Sequence, residues 1–103
     1  MGVQLNEDRF GVVQVAFTPA EVAAGAIVEQ TVSLPGALAN DVFLASVIPP
    51  PADAKIDVKR IRVVSAGLLG LTYSNASDGA LTPGAGTHVF LWFRPEHITV
   101  GGI

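Results

Sequence analysis

The sequence lacks cysteine and contains only one tryptophan, one tyrosine and six basic residues in 103 positions. Without cysteine the chain can form no disulfide, no thiolate nucleophile and no zinc site built on cysteine ligands. Charge is also sparse, because Asp, Glu, Lys and Arg make up 15% of the residues and the net charge is −3. This small net charge argues against a polybasic nucleic-acid-binding tail and against a long acidic tail.

Long hydrophobic runs are missing as well. No stretch approaches the roughly 20 apolar residues that cross a bilayer, and MGVQLNEDRFG lacks the pattern of a secretory signal, so we expect no membrane association. Half of the residues are nevertheless hydrophobic, and the mean hydropathy is +0.49. These values predict one folded domain with an unusually apolar core or surface.

Short alternating segments separated by turn-forming residues predict an all-β protein. In VVQVAF, for example, Val13, Val15 and Phe17 share one face, as in a half-buried strand. The segment TPAEVAAG (18–25) has helix-capping signals and predicts one or two helical turns. We therefore expect an N-terminal arm or loop over residues 1–11. A single antiparallel β-sandwich or jelly-roll-like domain of six to seven short strands should follow over 12–103.

The segment IDVKRIRVV changes register in its middle. Ile56 and Val58 occupy even positions, whereas Ile61 and Val63 occupy odd ones. Either a β-bulge near Lys59 and Arg60 restores the inward register, or the strand begins at Arg60. Further on, NASDGALTPGAG predicts a long loop, and PEHITVGGI predicts a seventh strand or a docking tail.

Residues that carry catalysis or bind metals are few and scattered. The two histidines, His88 and His97, lie nine positions apart with no carboxylate at ligand spacing, and Asp53, Asp57 and Asp78 form no calcium-loop pattern. No serine lies in a Gly-x-Ser-x-Gly elbow, and no phosphate-binding loop is present. The sequence therefore predicts neither an enzyme nor a cofactor or metal site.

Four of the six basic residues cluster in one segment, at Lys55, Lys59, Arg60 and Arg62. No aromatic residues interleave with them and the chain as a whole is acidic, so we expect no nucleic-acid partner. Two interpretations remain. The cluster either marks an edge strand whose charges prevent unwanted pairing, or forms a patch complementary to an acidic partner.

The most informative segments are DVFLASVI and HVFLWFR, because apolar residues occupy both faces of each strand. Either both strands are covered on two sides within one chain, or another copy covers one side. The chain has little material for a third layer, which favours the second explanation and predicts a trimer or dimer. The candidate interface residues are Val42, Phe43, Leu44, Val47, Ile48, Phe90, Leu91, Trp92 and Phe93.

From about Phe17 to Arg94 the chain resembles a family of small structural proteins of tailed bacteriophages. The resemblance rests on the type and spacing of a set of residues. These are Glu29-Gln30-Thr31, Pro35-Gly36, Asn40-Asp41, Pro49, Arg62-Val63, Leu69 to Asn75 and Thr82-Pro83. The chain departs from the family pattern at Asn40, where Gly is more usual, and in the insertion PPPADAK. No diagnostic catalytic motif accompanies the match.

This resemblance implies a capsid decoration (cement) protein, made in the bacterial cytoplasm and bound to the major capsid protein on the virion surface. The arm Met1–Gly11 and the C-terminal HITVGGI are then expected to recognise the capsid by adding a strand to a neighbour's exposed edge. Two alternatives remain open: a tail, fibre or baseplate component of the virion, and a carbohydrate-binding module. The carbohydrate-binding module would need exposed aromatic residues, and Trp92 is the only tryptophan.

Overall fold

A computed structural model describes residues 10–51 and 53–95. Within this part of the chain there are six strands and no helix, so the predicted all-β class is confirmed. The strands are β1 (Phe10–Phe17), β2 (Ile27–Ser33), β3 (Val42–Val47), β4 (Ile56–Ser65), β5 (Leu68–Asn75) and β6 (Gly86–Phe93). They form two antiparallel sheets of three strands, ordered β1-β6-β3 and β2-β5-β4, which pack together as a small sandwich.

The core lies between the two sheets and takes alternate side chains from the strands. Leu69 and Leu71 on β5 and Phe90 on β6 are completely buried, because β5 and β6 are the central strands of their sheets. Phe43 meets Phe90 edge to face, with ring centroids 6.3 Å apart. Burial of such side chains contributes about 1.5–3 kcal/mol each, which makes this layer the main source of stability.

Strand β4 is continuous from Ile56, and its pairing with β5 shifts register between Val58 and Arg60. The predicted bulge near Lys59 and Arg60 is therefore confirmed, and the alternative of a strand beginning at Arg60 is wrong. The extra residue lets Ile56 and Ile61 both face the core although their positions differ in parity.

The predicted helical turn over 18–25 is wrong. Val22 instead pairs with Leu81 across an isolated bridge, with N···O distances of 2.8 and 3.0 Å, and is almost fully buried. Gly25, at φ 67°, then closes a turn in which the Ala26 amide donates to the Ala23 carbonyl. A single turn of helix is too short to be stable by itself, so bridging and burial of Val22 decide the local structure.

Several predicted features fall wholly or partly outside the described residues. The arm over 1–11 is described only at Phe10 and Gly11, which belong to β1. The seventh strand or docking tail in PEHITVGGI, including His97, lies outside the described range apart from Pro95.

Asn75 organises the long loop between β5 and β6. Its buried side-chain amide donates to the carbonyls of Val22, Ala23 and Gly79, at 3.0, 3.2 and 2.9 Å. Its oxygen accepts from the amide and the hydroxyl of Ser77, at 2.9 and 2.7 Å. One side chain thus ties together the end of β5, the bridge at Val22 and the loop, and it adds a second hydrogen bond to carbonyls that already accept one from Leu81, Ala26 and Ser77.

A buried ion pair joins the residue before β3 to the residue after β6. The Arg94 guanidinium donates to both carboxylate oxygens of Asp41 at 2.8 Å and lies over the Trp92 ring, 5.0 Å from its centroid. Burial raises the pKa of Asp41, but hydrogen bonds from Arg94, the Leu38 amide and Trp92 outweigh it, so the pKa lies below its usual value. Asp41 therefore remains a carboxylate, and the pair closes one end of the sandwich.

We expect Asn75→Asp to destabilise the fold by about 3 kcal/mol, since it replaces an amide donor by a carboxylate facing three carbonyls. Urea denaturation followed by tryptophan fluorescence measures this free energy of unfolding. Asn40→Asp makes the same chemical change at an exposed position and should alter it by less than about 0.5 kcal/mol. Equal effects of the two substitutions would show that the Asn75 network does not hold the loop.

Candidate functional site

The outer face of the sheet β1-β6-β3 is apolar across all three strands. The pairing register sets Phe93 between Phe10 and Val42, and Leu91 between Val12 and Leu44. Phe10 is 71% exposed, and even Leu91 in the centre of the sheet is 40% exposed. We call this surface the apolar face; its members are Phe10, Val12, Val42, Leu44, Val47, Leu91 and Phe93.

The outer face of the other sheet, β2-β5-β4, is mostly polar, in contrast to the apolar face. Glu29 and Arg62 form a two-pronged ion pair across β5, with both N···O distances at 2.7 Å. Hydrogen bonds from Arg62 lower the pKa of Glu29. The pair lies over Gly70, where an added Cβ would come within 2.5 Å of the Glu29 carboxylate. This sheet therefore has the solvated outer side expected of a small sandwich, and the sheet β1-β6-β3 does not.

The structure divides the predicted interface residues into two groups. Val42, Leu44, Val47, Leu91 and Phe93 belong to the apolar face. The prediction is wrong for Phe90 and Trp92, which point inward and are buried. Phe43, also buried, and the half-buried Ile48 pack in or against the core and do not belong to the apolar face. The division follows from strand geometry, since successive side chains point to opposite sides of a sheet.

Two members of the apolar face, Phe10 and Val12, are not among the interface residues predicted from the sequence. The sequence prediction places Phe10 in the arm and uses only the inward residues of β1. The signal was present, because Phe10 and Val12 share one parity and Val13, Val15 and Phe17 share the other. What the sequence does not show is that β1 pairs with β6 and so extends the same face.

The second feature is a groove of about 510 Å³ that runs along the facing edges of β3 and β4. Among residues 10–51 and 53–95 each of these strands pairs on one side only, β3 with β6 and β4 with β5. We call this the edge groove; its walls include Phe43, Ile48, Ile56, Val58, Ile61 and Tyr73, with Lys59 and Arg60 also lining it. It combines apolar walls with strand edges whose backbone groups have no ladder partner.

Tyr73 provides the buried polar group of the edge groove. The residue is 1% exposed, and its hydroxyl has no hydrogen-bond partner among residues 10–51 and 53–95. Burial raises the pKa of Tyr73 to about 12. A buried hydroxyl without a partner costs about 1–3 kcal/mol, so this group lowers the stability of the fold.

The basic cluster lies along and just before β4, which is an edge strand. Arg62 is occupied by Glu29, and Lys59 lies 3.8 Å from the carboxylate of Asp57 with both side chains well exposed. Lys59 and Arg60 also line the edge groove. The two interpretations of the basic cluster, charges that protect an edge strand and a patch for an acidic partner, therefore refer to the same part of the surface.

Groups suited to other chemistry are dispersed in the described part of the chain. His88 is buried between Phe17 and Phe90, with Nδ1 3.0 Å from the Gly86 carbonyl. No three side chains among the described His, Asp and Glu residues are grouped to hold a metal. Trp92 is buried beneath Arg94, so it offers no platform for stacking a sugar. None of the described residues forms a helix able to cross a membrane.

No protein-family model, curated protein or solved structure matches this chain. The resemblance to phage structural proteins therefore stays a prediction. The features that bear on function are the apolar face and the edge groove.

We expect the wild-type protein to lose about 3 kcal/mol of stability between pH 10 and 12, a loss that Tyr73→Phe would not share. The folded state holds the phenolic proton up to a pKa of about 12, whereas the unfolded chain releases it near 10. The stabilisation is thus complete below pH 10 and is lost as the pH rises through the folded value. Denaturation of both proteins across this range measures the difference.

Because Tyr73 is the only tyrosine, its phenolate absorbance also reports the titration directly. A wild-type titration midpoint near pH 10 in the folded protein would contradict the prediction.

Proposed function

We propose that this protein is a non-enzymatic structural protein of a bacteriophage virion, a decoration protein that binds the assembled head as a homo-oligomer. The observation behind the proposal is the apolar face, which is contiguous over three strands and exposed in the single chain. The resemblance described from the sequence supplies the biological setting. The two lines of support are independent, since one rests on sequence spacing and the other on side-chain exposure.

The apolar face supports self-association for an energetic reason. The largest apolar patch on a folded protein is often a functional surface, and its exposed side chains gain free energy when a partner covers them. Within residues 10–51 and 53–95 no segment lies over the face, so a cover has to come from elsewhere. A sister copy is the partner always present at the same concentration, and a symmetric contact needs only one suitable surface on each chain.

The difference between the two outer faces suits a shell-bound oligomer. The face that carries the Glu29–Arg62 pair is compatible with water and would remain outside the oligomer contact. A protein that binds the assembled shell better than its separate subunits stabilises the shell by mass action. A small oligomer adds to this effect, because several weak contacts to the major capsid protein act together.

We expect Leu91→Lys to convert the oligomer into a monomer, weakening association by about 3 kcal/mol, or roughly a hundredfold. Leu91 is central to the apolar face, and the substitution brings a charge into a contact that excludes water. Light scattering at micromolar concentration gives the mass of each variant. Ser74→Lys is the matched control, because it places the same charge on the central strand of the other sheet, beside Asp57. A wild-type protein that is monomeric under these conditions would overturn the self-association.

Co-sedimentation with expanded empty phage heads tests the biological role. We expect the wild-type protein and Ser74→Lys to bind the heads and raise their rupture temperature, and Leu91→Lys to bind much more weakly. Loss of avidity in the monomer is the physical reason. Binding to isolated tails instead of heads would reassign the protein to the tail, and binding to neither would refute a virion role on this surface.

A further inference from the structure

The apolar face alone is small for a stable interface. Its three strands lie about 4.8 Å apart and its rows extend over about five residues of 3.3 Å, so it covers roughly 240 Å². Stable interfaces bury about 800 Å² on each partner. A second contact between copies would supply the missing area, and the edge groove has the properties of such a contact.

The edge groove specifies the chemistry of its occupant. The unpaired edges of β3 and β4 fit an extended backbone, as in recognition by strand addition. The apolar walls fit side chains at every second position of that strand, since these share one face. Tyr73 lines the groove, with its hydroxyl buried. Lys59 and Arg60 line it together with one carboxylate, Asp57, and favour an acidic flank in the occupant.

We propose that the edge groove binds the N-terminal segment of a second copy, residues 2–9, as an added β-strand. Its sequence is GVQLNEDR, in which Val3 and Leu5 are two positions apart and so enter the groove together. Glu7 and Asp8 follow after Asn6 and supply the acidic flank, before Arg9. The proposal deepens the proposed function and rests on it, because it adds a second contact to the same self-association.

Phe10 begins β1, which lies at the opposite edge of its sheet from β3, with β6 between them. Eight extended residues span about 26 Å, so the segment is long enough to reach its own edge groove or that of a neighbour. We infer exchange between copies because it adds area to the contact through the apolar face. Reciprocal exchange in a dimer and a ring of three both satisfy this arrangement.

Because the chain has no cysteine, a cross-linking test is unambiguous. Leu5→Cys is prepared in one sample and Val58→Cys in another that carries a mass tag, and the two are mixed under mild oxidation. We expect a disulfide-linked heterodimer as the main product. Leu5→Cys mixed with Thr31→Cys, on the polar outer face, should give at least about tenfold less product. Equal yields would overturn the proposal, and so would an intramolecular disulfide in a Leu5→Cys/Val58→Cys monomer.

A synthetic peptide of residues 2–9 tests the same contact without cross-linking. The protein lacking residues 2–9 is titrated with it, and shifts in the resonances of Ile56 and Tyr73 are followed by NMR. Lys59→Glu combined with Arg60→Glu should weaken binding about fivefold at low salt, and a peptide carrying Glu7→Lys and Asp8→Lys should restore it. A peptide of scrambled order is the control. Shifts absent at both groove residues, or equal for the scrambled peptide, would refute the proposal.

Repeating the titration on the Leu91→Lys background separates this inference from the proposed function. Peptide binding there, together with a wild-type protein that fails to assemble, would refute the apolar contact and leave the groove contact standing. Assembly of the wild type without peptide binding would refute only the groove contact.

Discussion

Two layers are all that this chain builds in its described part, and each strand has two sides. The shared interior absorbs one side of every strand, where Leu69, Leu71 and Phe90 lose all contact with water. The side chains on the outer side of each strand must face water or another molecule. On β2-β5-β4 the outer residues are mainly polar, whereas on β1-β6-β3 they are mainly apolar. The two outer faces of the sandwich therefore differ in polarity. This difference, rather than any reactive group, distinguishes one side of the protein from the other.

The apolar face and the edge groove answer different needs of one assembly. A flat apolar surface contributes affinity but little specificity, because many orientations bury similar area. A groove with a buried hydroxyl at Tyr73 and basic residues beside it accepts far fewer sequences. An oligomer that used both would gain affinity from the first and a defined arrangement from the second. Joined contacts of this kind also reinforce each other through effective concentration.

The sequence predicted the local features well because each depends on near neighbours. Alternation located the strands, the change of parity located the bulge between Val58 and Arg60, and the turn residues marked the loop after Asn75. It failed where distant segments decide the outcome. The helical turn at 18–25 is replaced by the bridge from Val22 to Leu81, which lies far along the chain. The members of the apolar face depended on β1 pairing with β6, and periodicity carries no information about that partner.

The ion pair between Asp41 and Arg94 has a consequence for how β3 and β6 find their alignment. On a strand with one polar face, slipping by one residue exposes the core, so hydrophobicity alone selects the alignment. On β3 and β6 both faces are apolar. A slip of one residue, which would turn Leu44 inward in place of Phe43, therefore loses much less buried apolar surface than it would on a strand with one polar face. Asp41 directly precedes β3 and Arg94 directly follows β6, and their side chains meet only when Val42 lies opposite Phe93. The ion pair therefore favours the native register of β3 on β6. Without it, sandwiches with these strands in a shifted register would compete with the native structure during folding.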